Sequence, residues 1–362
     1  MHLYVHIPFC HRICPYCAFF KHTPGHTDMR GFVDGVVREA RLRLPAGYRP
    51  ETIYFGGGTP SMLSPTHLER LIVGLGETVD FSGVREWSFE ANPATFNTAK
   101  AEQWRRLGIT RISLGIQSFE PQLLTLLGRE HTPRQAAEGI QILRDAGIPQ
   151  VNIDLMFSLP GQTLNQWCHT LETALSLCPD HISTYNLSYE EDTAFFNTYG
   201  AQAGDEETDV AMFEMADDIL TAAGMRHYEI SNYARPGCES WHNLATWRGE
   251  DYFGLGPGAF GTVCGTRYHN NDNTPAYIAA LAQGQLPPAT TETITPEDRR
   301  TELLGMALRT DEGLPPGMLR PCDQRFVQSL ISEGLATLGA DDSLRLTRSG
   351  RLVADEIALG LM

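Results

Sequence analysis

Leu3-Tyr4-Val5-His6-Ile7-Pro8-Phe9-Cys10-His11-Arg12-Ile13-Cys14-Pro15-Tyr16-Cys17 passes from a short β-prone run straight into three closely spaced cysteines. Residues 3–7 read as a strand, since β-branched and aromatic side chains suit a pleated surface and Pro8 ends the run. The chain beyond Cys17 decides the kind of sheet this strand joins. Residues 29–44 have helical periodicity and stop before Pro45, and Thr52-Ile53-Tyr54-Phe55 is a second strand stopped by Gly56-Gly57-Gly58. Ser64-Pro65 reads as an N-cap with proline at the first helical position, opening a helix to about Leu75. The alternation continues with strands at 87–90, 111–116, 151–156 and 181–187. Helices are expected at 98–107, up to Leu127, and at 133–146, 164–177 and 205–223. Six strand–helix units in succession imply parallel strands with right-handed crossovers. The expected fold class is therefore α/β, a partial (β/α)6 TIM-like barrel over residues 1–230.

The rhythm breaks after about residue 225. Residues 226–233 and the glycine-rich Gly254-Leu255-Gly256-Pro257-Gly258-Ala259-Phe260-Gly261 suggest irregular or antiparallel structure, so 231–289 is expected to be an irregular segment closing the barrel face. Leu286-Pro287-Pro288 opens a linker reaching Thr295. Beyond it, two helices, Leu344-Arg345-Leu346 and a last helix from Thr347 give a mostly helical, winged-helix-like domain over 290–362.

Composition narrows the partners. The 362 residues carry 28 Lys and Arg against 44 Asp and Glu, a formal charge of −16. That balance argues against nucleic acid, which rewards a basic surface, and so against a DNA-binding role for the terminal module. No apolar run approaches the ~20 residues of a membrane span, and the start has no signal-peptide pattern, so the expected location is cytoplasmic. Of eight cysteines, Cys168, Cys178, Cys238, Cys264 and Cys322 are scattered and read as small hydrophobes.

Cys10, Cys14 and Cys17 are different. Their loop follows the first strand, at the C-terminal mouth of a parallel sheet, where α/β proteins place their sites. Three thiolates on one loop suit three corners of a [4Fe–4S] cube, leaving a fourth iron for a small chelating molecule. A zinc site usually takes four protein ligands. Phe9, Tyr16, Phe19 and Phe20 are candidates to shield the cluster. At the same mouth, Gly57 and Gly58 allow close backbone approach to a ligand. Glu90, Gln117 and Asp154 end strands as polar residues that need partners if buried, and Arg129 offers a planar fork for a carboxylate.

CxxxCxxC after a first strand resembles the cluster motif of radical S-adenosylmethionine (SAM) enzymes. The resemblance is narrower than that. Tyr4-Val5-His6-Ile7-Pro8-Phe9-Cys10, Gly56-Gly57-Gly58-Thr59-Pro60-Ser61, Phe89-Glu90-Ala91-Asn92-Pro93, Gly115-Ile116-Gln117-Ser118-Phe119, Gly128-Arg129-Glu130-His131 and Asn152-Ile153-Asp154-Leu155 are similar to the oxygen-independent coproporphyrinogen III oxidase group. The resemblance implies that the open iron binds the amino and carboxylate groups of SAM and that an electron donor reduces the cluster, cleaving SAM to a 5′-deoxyadenosyl radical. It also implies a SAM-binding set of Tyr4, Tyr16, Gly57, Gly58, Thr59, Glu90, Gln117, Arg129 and Asp154.

Two departures point within the group. The sequence starts nine residues before Cys10, and Phe19 stands where the oxidases carry a fourth cysteine. CxxxCxxCxF is similar to the heme-chaperone branch, whose histidine motif HNxxYW appears here as His242-Asn243-Leu244-Ala245-Thr246-Trp247, with Thr246 in place of Tyr. The resemblance implies a cytoplasmic protein of porphyrin metabolism that binds heme through His242 and hands it to an acceptor protein, with a homodimer as a candidate assembly. The alternatives are a SAM-dependent methyltransferase and, with less support, a coproporphyrinogen decarboxylase.

Overall fold

The computed structural model describes residues 1–200 and 205–362. In chain order the first half comprises β1 (His2–Ile7), α1 (Met29–Arg43), β2 (Thr52–Gly57), α2 (Pro65–Leu75), β3 (Glu86–Ala91), α3 (Thr98–Arg106), β4 (Arg111–Gln117), α4 (Pro121–Leu126), α5 (Pro133–Asp145), β5 (Gln150–Phe157), α6 (Leu164–Ser176) and β6 (His181–Asn186). These six strands lie side by side in sequence order and pair in parallel, as the alternation predicts. Local chemistry sets the helix starts. Ser64 accepts from the His67 amide at α2, while Thr132 with Gln135 and Thr163 with Gln166 form capping boxes at α5 and α6.

Period-two alternation sorts each strand between two environments. Leu3, Val5, Ile7, Ile53, Phe55, Trp87, Phe89, Ile112, Leu114, Val151 and Ile153 join one apolar core with residues of α1, α2, α3, α5 and α6. The intervening residues face the barrel interior, and they are polar: His2, Tyr4 and His6; Thr52 and Tyr54; Glu86, Ser88 and Glu90; Arg111 and Ser113; Asn152 and Asp154. Register aligns them into rows, with His2 beside Thr52 beside Glu86, and Tyr4 beside Tyr54 beside Ser88. The barrel therefore carries a polar lining from its base, at the strand starts, to its mouth at their ends.

Beyond β6 come α7 (Ala194–Tyr199), α8 (Glu206–Ala222), β7 (Arg226–Glu229), β8 (Asn232–Ala234), α9 (Trp241–Trp247), β9 (Tyr252–Leu255), β10 (Phe260–Val263), β11 (Thr266–Asn270), α10 (Thr274–Ala282) and β12 (Ala289–Thr293). Here three expectations need correction. Strand β2 runs through Gly56 and Gly57 rather than stopping before them. Residues 231–289 are not irregular, because their strands extend the sheet at both edges into the order β12-β11-β10-β9-β1-β2-β3-β4-β5-β6-β8-β7. Strand β9 pairs in parallel with β1 as a seventh parallel strand. The glycines that suggested irregularity permit tight strand packing instead: a Cβ on Gly254 would lie 1.8 Å from the Phe260 carbonyl, and one on Gly261 would lie 2.4 Å from the Tyr268 ring. The supposed linker holds β12, a short, exposed, threonine-rich edge strand on β11.

The remaining chain forms α11 (Pro296–Leu308), α12 (Gln324–Ser332), the antiparallel pair β13 (Ala336–Leu338) and β14 (Leu344–Leu346), α13 (Arg348–Leu352) and α14 (Ala354–Leu361). These elements enclose a core of their own around Leu304, Leu308, Leu330, Leu344, Ile357 and Leu361. Among the described residues, no helix is long and apolar enough to cross a membrane.

Candidate cluster site and the cavity beside it

The cysteine loop is pinned at its entrance. The Cys10 amide donates to the His22 carbonyl at 3.0 Å and the His22 amide to the Pro8 carbonyl at 2.8 Å, while the Cys17 amide turns back to the Cys14 carbonyl at 3.2 Å. Thr59 Oγ1 donates to Cys10 Sγ at 3.4 Å, and Arg129 Nη1 to Cys14 Sγ at 3.6 Å. Burial pushes the Cys10 and Cys17 thiols up, opposed by the Thr59 hydroxyl at the first and by Lys21 at the second. All eight cysteines are unpaired.

Cys10, Cys14 and Cys17 line an open cleft together with Tyr16, Gly57, Gly58, Thr59, Glu90, Gln117, Arg129 and Asp154. Glu90 accepts from the Tyr54 hydroxyl at 2.8 Å and the Gly57 amide at 3.1 Å. Burial raises its carboxyl to about 7, with the Asp154 charge adding to the effect. Asp154 is also raised by burial, although Ser113 at 2.8 Å and Asn152 at 2.7 Å donate to it. Arg129 is fixed by the Asn92 side chain at 2.6 Å and by the Gly115 carbonyl. Gln117 sits at φ 71° where the β4–β5 register shifts, and Tyr185 donates to its side chain at 2.5 Å. A non-glycine residue in the left-handed region costs roughly 1–3 kcal/mol and persists where surroundings enforce it, often at a functional site.

Gly57 and Gly58 of the glycine triplet, which line the cleft, are also tightly packed behind it. A Cβ on Gly57, at φ 110°, would lie 2.4 Å from the His6 ring, and one on Gly58 would lie 2.7 Å from the Pro8 backbone. The missing side chains let β2 press against β1 and the cysteine loop, which brings Thr59 to Cys10. The aromatic shield is also partial. Tyr16 and Phe19 line the cleft, whereas Phe9 is buried against Phe32 and Phe20 stacks on His6.

Two of the expected cofactor-binding residues, Tyr4 (expected beside SAM) and His242 (expected on heme), border an adjoining space. They line a second cavity, open to solvent, with His6, Phe19, Phe20, Tyr54, Thr246, Tyr252, Phe260 and His269. Phe19 borders both spaces, so they adjoin. The Tyr4 hydroxyl is 3.0 Å from His6 Nδ1, and its ring stacks on Tyr54. His242 is held at the barrel base because Glu86, at the start of β3, receives the N-terminus of α9. Its carboxylate accepts from Ser240 Oγ, the Trp241 amide and the His242 amide, each at 3.1 Å, and from Arg111 Nε at 3.0 Å. Burial pushes the Glu86 carboxyl up, but Arg111 and these amides hold it below its ordinary value. Burial drives His242 down to about 4, so its ring is neutral at neutral pH. Trp247, expected near His242, is absent from the cavity lining and hydrogen-bonds Glu229 instead. Thr246 does line the cavity, so the position that departs from the histidine motif faces the same space as His242.

Sequence reasoning missed Asn92, Tyr54, Tyr185 and Glu86. A period-two scan of the strands finds Tyr54 and Glu86 through Thr52-x-Tyr54 and Glu86-x-Ser88-x-Glu90. Asn92 and Tyr185 have no comparable local signal.

Three thiols at the mouth of an open parallel barrel, with buried carboxylates and a fixed arginine across from them, define the class as radical SAM. Residues 4–174 match the Radical SAM superfamily model. The chain is 33% identical to the heme chaperone HemW of Bacillus subtilis, covering 98% of this chain and 97% of that protein, and 37% identical to HemW of Escherichia coli over 72% and 70% of the two. The chain belongs to the HemW family. Its fold is that of the Escherichia coli coproporphyrinogen III oxidase HemN, with a TM-score of 0.82 at 23% identity, covering 99% of this chain and 89% of that one. Radical SAM membership implies a [4Fe–4S] cluster and SAM, and the donor set fits both. Glu90 is a buried carboxylate whose hydrogen-bond donors among the described residues, Tyr54 and the Gly57 amide, are neutral, and a cation such as the SAM ammonium would restore its charged form.

Proposed function

We propose that the chain is a heme chaperone in which Cys10, Cys14 and Cys17 hold the cluster and the adjoining cleft holds SAM. His242 offers heme an iron ligand in the second cavity, and the heme then passes to an acceptor protein. The observation that carries this reading is a neutral histidine lining an aromatic cavity that shares Phe19 with the cluster cleft. A neutral imidazole is a good iron ligand, and Tyr4, Phe20, Tyr54 and Phe260 supply the flat apolar walls a porphyrin needs.

When bound, the reduced cluster supplies one-electron chemistry to SAM. The residues of the chain do the rest. Glu90 and Asp154 would hold the ammonium and ribose of SAM and Arg129 its carboxylate, while Thr59 and Arg129 donate hydrogen bonds to the Cys10 and Cys14 sulfurs. Unpaired cysteines agree with a reducing, cytoplasmic setting. Residues 1–289 act as the cofactor-binding unit, and 290–362 form a separate winged-helix-like module.

Anaerobic reconstitution, heme titration and a coproporphyrinogen assay with SAM under reducing conditions test the reading. A saturable heme band without porphyrinogen turnover is expected. Steady protoporphyrinogen production, or heme binding no tighter than to an unrelated acidic protein, would overturn it.

A further inference from the structure

Behind His242, outside the cavity, three side chains form a single file to the surface. Glu250 Oε2 is 3.0 Å from His2 Nε2, His2 Nδ1 is 2.9 Å from Thr52 Oγ1, and Thr52 Oγ1 is 2.7 Å from His242 Nδ1. Register places His2 beside Thr52, so the file follows from two adjacent strand starts, and Glu250 closes it from the loop after α9.

The proton inventory of these groups gives the file a direction. An ionised carboxylate only accepts, so His2 Nε2 donates to Glu250. When the single ring proton of His2 sits on Nε2, its Nδ1 lone pair takes the one hydroxyl proton of Thr52. With that proton spent, the Thr52 oxygen accepts from His242 Nδ1–H. A neutral imidazole carries one ring proton, so His242 Nε2 is left as a lone pair. The ring is also fixed in orientation, tilted on Tyr54 at 5.0 Å and edge-on to His2 at 6.1 Å.

We propose that Glu250, His2 and Thr52 are positioning residues that lock His242 in the Nδ1–H tautomer, so that Nε2 meets the cavity as a ready ligand for the iron of a planar porphyrin. The inference rests on the heme reading above and adds what makes this histidine, rather than another, the ligand. His6 also lines the cavity, but both its nitrogens are engaged, by the Tyr4 hydroxyl at 3.0 Å and the Phe20 carbonyl at 2.9 Å. His269 stacks on Phe260 and has Nε2 3.2 Å from Asp272. Among the described residues, His242 Nε2 has no protein partner.

Partners on the far nitrogen of a ligating histidine fix its tautomer, and their loss typically costs 10–100-fold in metal affinity. Thr52→Val keeps the branched shape and removes the hydroxyl, whereas Thr52→Ser keeps the hydroxyl. Nitrogen-15 NMR of the histidine rings in heme-free protein should show His242 as Nδ1–H in the parent and in Thr52→Ser, and a shifted tautomer balance in Thr52→Val. Hemin titration should show affinity falling about 10–100-fold in Thr52→Val and returning in Thr52→Ser. The iron–histidine stretching band of the ferrous complex should move in Thr52→Val as well. Glu250→Gln, which can still accept from His2, should give a smaller change in the same direction. An Nε2–H tautomer in the parent, or a Thr52→Val variant with unchanged tautomer and affinity, would overturn the relay. A parent that shows the expected tautomer yet binds no hemin would instead overturn the heme reading, so the two failures are distinguishable.

Discussion

The mouth and the base of the barrel share one polar lining but are built in opposite ways. At the mouth, side chains converge from strand ends and the loops after them, and two buried carboxylates, Glu90 and Asp154, are held above their ordinary range by burial. At the base, the buried carboxylate Glu86 is fully paired with Arg111 and the start of α9, and is held below its range. The contrast separates two uses of a buried charge. A buried carboxylate met only by neutral donors is a poised binding group awaiting a cation, whereas one paired with an arginine is a fastener, here placing His242 on its cavity.

The largest effect that would break this comparison lies at the mouth. Replacing Cys10, Cys14 and Cys17 together with Ala should reduce reconstituted iron and sulfide to background while leaving the fold intact by circular dichroism. Retained iron would detach the cluster from this loop. At the base, Glu86→Ala strands a buried Arg111 and the donors of Ser88, Ser240, Trp241 and His242, and removing one partner of a buried pair costs about 3–5 kcal/mol. Thermal or urea unfolding should show that loss, whereas Glu90→Gln should cost far less or add stability.

The intermediate effect concerns SAM. Losing a charge-assisted hydrogen bond costs roughly 1.5–3 kcal/mol, so Asp154→Ala and Arg129→Ala should weaken SAM binding by about ten- to a hundred-fold in equilibrium titration. Parent-like affinity would remove them from the SAM site.

The pH dependence sharpens the same contrast. Between the ordinary Glu value of 4.5 and about 7, native Glu90 keeps a proton that the unfolded chain has released. The native state thus binds more protons, and this residue makes stability fall as pH rises through that window. Urea midpoints measured across it should decline less steeply in Glu90→Gln than in the parent. Equal slopes would mean that Glu90 is already ionised.

The smallest effect distinguishes the two spaces at Tyr4. Tyr4→Phe removes the bond to His6, worth about 1 kcal/mol, and should leave the SAM dissociation constant unchanged. A clear loss of SAM affinity would return Tyr4 to the cleft, where family resemblance had put it.

Most of the mouth was legible in the sequence because its residues follow apolar runs with regular spacing: the cysteine triplet after β1, Glu90 near the end of β3, Gln117 ending β4, and Asp154 within β5. The base was not. His242 came from a motif alone, and its neighbours His2, Thr52 and Glu86 sit at strand starts, where polar residues look like solvated ends. Only parallel register shows them to be one buried row. The segment after residue 230 misled for a related reason: Gly254 and Gly261 signal chain breaks locally, yet in the sheet they make room for Phe260 and Tyr268.

The central claim is that the base binds heme independently of the cluster at the mouth. Hemin titration of His242→Ala, read beside its iron and sulfide content, tests this most directly. The account predicts a full complement of cluster iron and a heme band that is weakened and displaced. Heme binding at parental affinity in His242→Ala would contradict it.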